Sequence, residues 1–181
     1  MDVSFAEDHI VFARYEFPGA TVHPAGVLTL ARIRDADPKA WPPEIRTTLG
    51  ETLFVPRAQE PELEEFCRRN DVTTKRRPWI WSDLLEPFLD TWFDPDDERA
   101  TDERLHKAGL SQEEITEIRQ RLTPLMRAYN FDSMLWEWVD LGLFDLLNAA
   151  TGPLVNPALQ ATLGDPAAFY TWAMAIAERS R

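Results

Sequence analysis

Apolar residues recur at helical spacing through the second half of the chain. One stripe at this spacing consists of Ile115, Ile118, Leu122, Leu125 and Tyr129. Ser111 and Glu114 stand in front of the stripe and fit a capping box, in which the two side chains satisfy free amides of the first turn. Further helices are predicted over residues 62–70, from 82 to about 93 with Ser82 as N-cap, from 96 or 97 to 107, and from 166 onward. We therefore expect residues 59–181 to be helical.

Residues 132–150, wound as a helix, are hydrophobic on nearly every side. Only Glu137, Asp140 and Asn148 make a polar strip on that helix, with Asp145 to one side. A buried carboxylate is costly unless it is paired or binds a metal, so the strip is expected where the helix meets water. The alternative is a hard divalent cation held by two carboxylates one turn apart.

Prolines set the first third of the chain apart. Seven of the fourteen lie within residues 1–61, which largely excludes long helices there. Residues 9–17 have a strand-like pattern, whereas residues 27–34 fit either a second strand or a short helix. We predict a mostly α (α+β) fold in a single domain, 1–181, whose helical portion, 59–181, is bundle-like. The proline-rich N-terminal portion, 1–58, has room for a short antiparallel sheet.

Composition places the chain among ordinary globular proteins. A chain of 181 residues that is 44% hydrophobic can bury a sizeable core, and we expect most of its seven tryptophans to lie inside it. No apolar run is long enough to cross a bilayer, and the acidic start does not resemble a signal peptide, which predicts a cytoplasmic protein without membrane partners. Cys67 is the only cysteine, so an internal disulfide is excluded.

The negative charge is concentrated in one segment. The formal net charge is −12, and residues 83–117 contain twelve acidic residues against three basic ones. A charge of this sign argues against general binding of nucleic acid, whose phosphates are negative. The segment is either a solvated helix face or a surface for a basic partner.

Basic residues cluster just before the acidic segment. They are Arg68, Arg69, Lys75, Arg76 and Arg77, and Trp79 and Trp81 follow at once. One interpretation is an exposed connector that balances the acidic segment. The other is a site that neutralises and stacks a nucleotide or another phosphorylated ligand.

One acidic pattern resembles a known family. Glu113-Glu114-x-x-Glu117 is followed, after nineteen residues, by Glu137-x-x-Asp140 and an apolar run. The pattern is similar to the two-helix acidic motif of the all-α nucleoside triphosphate pyrophosphohydrolases of the MazG type. The resemblance implies that Glu114, Glu117, Glu137 and Asp140 bind magnesium, which positions a triphosphate and activates water. The chain would then be a magnesium-dependent hydrolase.

The preferred hypothesis is a protein-interaction module. Familiar catalytic signatures are missing and His9, His23 and His106 are far apart in sequence, so enzymatic activity is left open. An acidic, tryptophan-rich domain fits an adaptor, inhibitor or immunity-type protein that covers a basic surface and needs no cofactor. The sequence also leaves open whether the chain forms a homo-oligomer. The predicted interface residues are Trp92, Asp94, Asp96, Asp97 and Glu98.

Overall fold

The structure, a computed structural model, describes residues 1–137 and 139–180. It shows an α+β fold, 50% helical and 15% strand, with two three-stranded antiparallel sheets in the N-terminal half. The prediction of a mostly α, bundle-like domain with one short sheet is therefore wrong. The second sheet was missed because its middle strand, Glu44–Thr47, carries charged side chains that are buried, so it lacks a hydrophobic pattern.

The chain divides into two compact units, Met1–Arg77 and Pro78–Arg181. The first unit contains both sheets and one helix, and the second contains the remaining helices. This boundary lies later than the change from the proline-rich to the helical portion expected at residues 58 and 59. A single domain over the whole chain stays a prediction.

The first sheet is formed by β1 (Asp2–Phe5), β2 (His9–Arg14) and β3 (Gly26–Thr29), in that order. Strand β2 confirms the first part of the strand-like pattern at residues 9–17 and ends at Arg14; its Ile10 and Phe12 face inward. Residues 27–34 are neither one strand nor one helix, because β3 ends at Thr29 and a 3₁₀ turn, Leu30–Arg32, leads into the second sheet. Two short strands joined by a turn can produce either pattern in sequence.

The second sheet consists of β4 (Ile33–Asp37), β5 (Glu44–Thr47) and β6 (Thr52–Phe54). Arg46 of β5 is only 1% exposed. Its guanidinium donates to Asp35, to Glu44 at 3.5 Å and to the Lys75 carbonyl oxygen. Helix α1 (Glu60–Arg69) completes the unit and packs Phe66 on Phe5, with ring centroids 5.7 Å apart.

The described part of the second unit forms six α-helices. They are α2 (Ile80–Leu85), α3 (Pro95–Lys107), α4 (Gln112–Arg127), α5 (Leu143–Thr151), α6 (Pro157–Gln160) and α7 (Pro166–Ala177). The capping box of Ser111 and Glu114 is confirmed at the start of α4, and the whole predicted apolar stripe is buried. Asp165 caps α7 as its position before Pro166 suggests.

The predicted helix over residues 132–150 is wrong. Helix α4 is followed by a π-helical turn, Ala128–Asp132, and the described residues between this turn and α5 form a loop. The loop contains enough apolar residues to mimic a buried helix in sequence, although Met134, Leu135, Trp136 and Val139 are exposed. The helix predicted over 82–93 is also shorter, because α2 has Ser82 in its interior and gives way to a 3₁₀ turn at Glu86–Phe88, which contains Pro87.

Most tryptophans are not in a core, contrary to expectation. Of the six in the described residues only Trp81 is buried, and its indole N–H donates to the Ala173 carbonyl at 3.0 Å. Trp92 is 81% exposed. No helix within the described ranges is long and apolar enough to cross a membrane.

We predict that replacing Arg46 by Met destabilises the first unit by about 3 kcal/mol or more, because two buried carboxylates would each lose an ion pair. Asp35 would keep its pair with Arg34 at 2.9 Å, and Glu44 its pair with Arg77 at 3.5 Å. Urea unfolding followed by circular dichroism measures the loss. Arg14→Met is the matched control, because the Arg14 side chain is 70% exposed and lies 3.7 Å from Glu16; it should cost less than about 0.5 kcal/mol. Equal costs for the two variants would contradict a structural role for Arg46.

Candidate functional site

Asn130 is a buried polar residue that holds the loop between α4 and α5. Its side-chain amide donates hydrogen bonds to the carbonyl oxygens of Phe88 and Glu137, each at 2.9 Å. Its amide oxygen accepts from the Glu137 N–H at 2.6 Å. Asn130 itself has no exposed surface. One interior side chain thus satisfies two backbone groups of the loop and the last carbonyl of the 3₁₀ turn at Glu86–Phe88, which fixes the path of the loop.

The loop held by Asn130 exposes large apolar side chains. They are Met134, Leu135, Trp136 and Val139. The Asp90 N–H donates to the Glu137 carbonyl at 2.8 Å, so the loop lies beside the segment that carries the exposed Trp92. We call these four residues and Trp92 the apolar patch. Large apolar side chains exposed by two hydrogen-bonded segments are typical of a protein interaction site.

Two residues of the apolar patch have an unfavourable backbone conformation. The φ angle is 60° at Met134 and 53° at Trp136, in the left-handed region that favours glycine. The Trp136 ring packs edge-on against Phe131, with centroids 5.8 Å apart. Conformations of this kind cost about 1–2 kcal/mol each and persist where neighbouring contacts fix the chain, which is common at binding sites.

The acidic residues predicted for the interface lie at the start of α3, next to Trp92. Asp94 is the N-cap, and its carboxylate accepts from the N–H groups of Asp96 and Asp97 at 2.8 and 2.9 Å. Asp96 pairs with Arg99. Asp97 and Glu98 are exposed. Of the five predicted interface residues, Asp94 therefore has a structural role, while Trp92, Asp97 and Glu98 face solvent.

An acidic pocket of about 220 Å³ lies beside this segment. Its lining consists of Glu86, Pro87, Phe93, Glu98, Asp102 and Arg119. The Arg119 side chain lies 3.4 Å from Asp102 and also donates to the carbonyl oxygens of Asp83 and Leu84. Burial raises the pKa of Glu86, although the Thr101 hydroxyl donates to it at 2.8 Å. Arg119 neutralises Asp102, so Glu86 and Glu98 leave the lining acidic, and together with the Phe93 ring they suit an organic cation.

The carboxylates of the pyrophosphohydrolase pattern occupy two different places. Glu114 and Glu117 line a second pocket, of about 210 Å³, that neither Glu137 nor Asp140 lines. Glu114 pairs with Arg179 at 2.9 Å, which lowers the pKa of Glu114 to about 2 with help from the capping box. Within the described residues, no group of three or more His, Cys, Asp or Glu is arranged to hold a metal ion.

Glu137 and Asp140 lie in the loop rather than on a helical strip, which corrects the sequence-based placement. The Glu137 carboxylate accepts from the Val139 N–H at 2.8 Å. Burial raises the pKa of Asp140, against a hydrogen bond with Ser82 that lowers it. Asp145 in α5 accepts from the Gly142 N–H at 2.9 Å, and burial raises its pKa to about 6.

Sequence reasoning identified the acidic segment and Trp92, but it missed Asn130 and the exposed loop. The available signals were the Asp132-Ser133 pair and Gly142, turn-forming residues that mark both ends of the loop.

Comparison with known proteins found no family model, no curated protein and no solved structure that matches the chain.

We predict a pH dependence of stability that comes from Asp145. Because its folded-state pKa is about 6 against an ordinary value of 3.8, the folded protein binds this proton more tightly, and stability is lost as the pH rises through 6. Between about pH 5 and pH 7 the free energy of unfolding should fall by about 1 kcal/mol more in the wild type than in Asp145→Asn. Asp132→Asn, at an exposed carboxyl, should keep the wild-type slope; an equal slope in Asp145→Asn would refute the assignment.

We predict that Asn130→Ala releases the loop. The Phe88 carbonyl and the Glu137 N–H would lose their partners, at a cost of about 2 kcal/mol or more. Amide hydrogen exchange of the loop, measured by mass spectrometry, should become faster. Asn70→Ala removes one side-chain hydrogen bond at the end of α1 and should leave loop exchange unchanged. Unchanged exchange in Asn130→Ala would mean that other contacts hold the loop.

Proposed function

We propose that this chain is a protein-interaction module whose second unit binds a partner protein with a basic surface. The observation that carries the proposal is the acidic pocket lined by Phe93, Glu98 and Asp102, next to the exposed Trp92. A lysine or arginine side chain of the partner enters this pocket. It meets carboxylates at its head and the Phe93 ring along its stem.

The chemistry of the pocket favours an organic cation. Glu86 lies in the lining, and its burial penalises the charged carboxylate; an entering cation relieves that penalty. The carboxylates surround an aromatic ring, and no metal-binding group is found in the described residues. An arginine or lysine side chain combines the charge and the apolar stem that such a pocket recognises.

The apolar patch favours a protein partner over a small cation. Protein interfaces combine a few large apolar anchors with a charged rim, and tryptophan is the most frequent energetic centre. Trp92 and Trp136 supply such anchors, and Asp97 and Glu98 supply the rim. The same combination serves an adaptor, an inhibitor or an immunity-type protein. The magnesium-dependent hydrolase stays a prediction that rests on the sequence resemblance.

The experiment compares partner binding by charge-neutral variants of equal size. Partners are captured by crosslinking, the most abundant is purified, and its affinity is measured by isothermal titration calorimetry. Asp97→Asn with Glu98→Gln should weaken binding by roughly tenfold or more, and so should Trp92→Ser. Asp94 is left intact because its side chain caps α3. Binding should also weaken as salt is raised from about 50 to 300 mM.

The control is Glu103→Gln with Glu113→Gln, which removes the same charge from exposed positions outside the pocket lining. It should bind like the wild type. A captured partner with an acidic surface would refute the proposal, as would equal affinities of the Asp97→Asn, Glu98→Gln variant and the control.

A further inference from the structure

The first unit contains a cleft of about 700 Å³ that the proposed function does not use. The end of β4, helix α1 and residues 71–76 surround it. Its lining includes Asp37, Arg68, Lys75 and Arg76. Three residues of the basic cluster thus share one concave site. Arg69 donates instead to the Ala6 carbonyl at 2.7 Å, and Trp81 belongs to the core of the second unit.

Buried arginines fix the segment that forms one wall of the cleft. Arg46 donates to the Lys75 carbonyl oxygen, and the Lys75 N–H donates to the Ala36 carbonyl at 2.8 Å. Arg77 turns inward and donates to the Thr52 hydroxyl at 2.8 Å. Residues 73–75 therefore pair with β4 at Ala36, directly before Asp37. A wall held in this way is a preorganised surface, whereas a loose connector would have no defined position.

Asp37 has an unused hydrogen-bond acceptor. The residue is 5% exposed and lines the cleft, and its Oδ1 accepts from the Lys39 N–H at 3.1 Å. Its Oδ2 accepts no hydrogen bond from any described residue. Buried carboxylate oxygens without a donor are rare, because desolvation is not compensated. A ligand that donates an N–H to Oδ2 would supply the missing partner.

The positive charges around the cleft differ in their pairing. Lys39 is neutralised by Glu60 and Glu64, each at 2.6 Å, and Arg68 is paired with Glu65. The Lys75 ammonium is exposed and forms no ion pair with a described carboxylate. Lys75 thus presents an unpaired positive charge in the cleft that the Asp37 carboxylate also lines. A ligand that complements both groups carries a negative and a positive group of its own.

We propose that the cleft binds a small phosphorylated amine, with the amine donating to Asp37 Oδ2 and the phosphate held by Lys75 and Arg76. Arginine and lysine are the usual phosphate ligands, and an ammonium group forms a charge-assisted hydrogen bond with a buried carboxylate. The volume lies within the range of small-molecule sites. Cys67 also lines the cleft, and burial raises the pKa of its thiol to about 11, so the thiol is neutral at pH 7.

Binding requires a side chain to move. Oδ2 has less than 1 Å² of exposed surface, so the amine reaches it only when a lining residue shifts. Lysine side chains do this at little cost because they are long and flexible. The Lys39 side chain, 62% exposed at the edge of the cleft, is the one we expect to shift.

Isothermal titration calorimetry with three matched sugars tests the site. Glucosamine 6-phosphate carries both groups, 2-deoxyglucose 6-phosphate lacks the amine, and glucosamine lacks the phosphate. The first should bind the full-length protein with a dissociation constant below about 1 mM, and each of the others roughly tenfold or more weakly. Equal binding of the two phosphates would overturn the role of Asp37. No binding of glucosamine 6-phosphate at about 10 mM would overturn the site.

Variants separate the two ends of the ligand. Lys75→Met should weaken both phosphorylated sugars by about tenfold, whereas Arg14→Met, at an exposed position of the same unit, should change neither. Asp37→Asn should remove the preference for the amine while keeping phosphate binding. If Asp37→Asn does not fold, an unchanged affinity in Lys75→Met still refutes the proposal. Co-sedimentation of the protein with phosphatidylethanolamine vesicles tests a lipid source of the same chemistry. If the protein binds these vesicles more tightly than it binds glucosamine 6-phosphate, the ligand is a lipid headgroup and not a soluble sugar.

Discussion

The buried guanidinium of Arg46 is the constraint on which the first unit depends. A charge in the interior is tolerated only when its donors are paired, and Arg46 finds partners on β4, on its own strand and on the segment after α1. The same interactions join two strands of a sheet that has little apolar pattern and fix the backbone of Lys75. The architecture of the sheet and the shape of the cleft therefore have one physical origin.

The second unit uses the same principle with a neutral side chain. Asn130 satisfies backbone groups of a loop that has no regular structure, and it does so from a fully buried position. The result is an outward-facing apolar patch on a defined backbone. Binding residues are often found on loops that a rigid scaffold positions. Such loops are ordered before the partner arrives, so less conformational entropy is lost on binding. Both units thus use a buried polar group to shape an exposed surface.

What the sequence predicted depends on how local each signal is. The capping box of Ser111 and Glu114 and the apolar stripe behind it involve residues within a few turns, and the structure confirms both. Strand β5 was missed because its buried charges depend on partners outside the strand: Arg46 on Asp35 and the Lys75 carbonyl, and Glu44 on Arg77. The loop after α4 was mistaken for a helix because an apolar run has the same composition whether it is buried or exposed. The acidic surface was found, but the pocket beside it depends on how α3 and α4 pack.

Charge alone does not locate a binding surface in this protein, because many of the charged groups are already paired. Arg104 is neutralised by Asp83, Glu114 by Arg179 and Lys39 by two glutamates, so none of them offers a full charge to a partner. Asp97, Glu98 and Lys75 are exposed without a paired ion among the described residues. These unpaired charges lie next to a hydrophobic or unsatisfied group: the apolar patch in one unit and the Asp37 carboxylate in the other. An unpaired charge beside an exposed apolar patch or a carboxylate without a hydrogen-bond donor indicates a binding site. It does so more specifically than the net charge of −12 does.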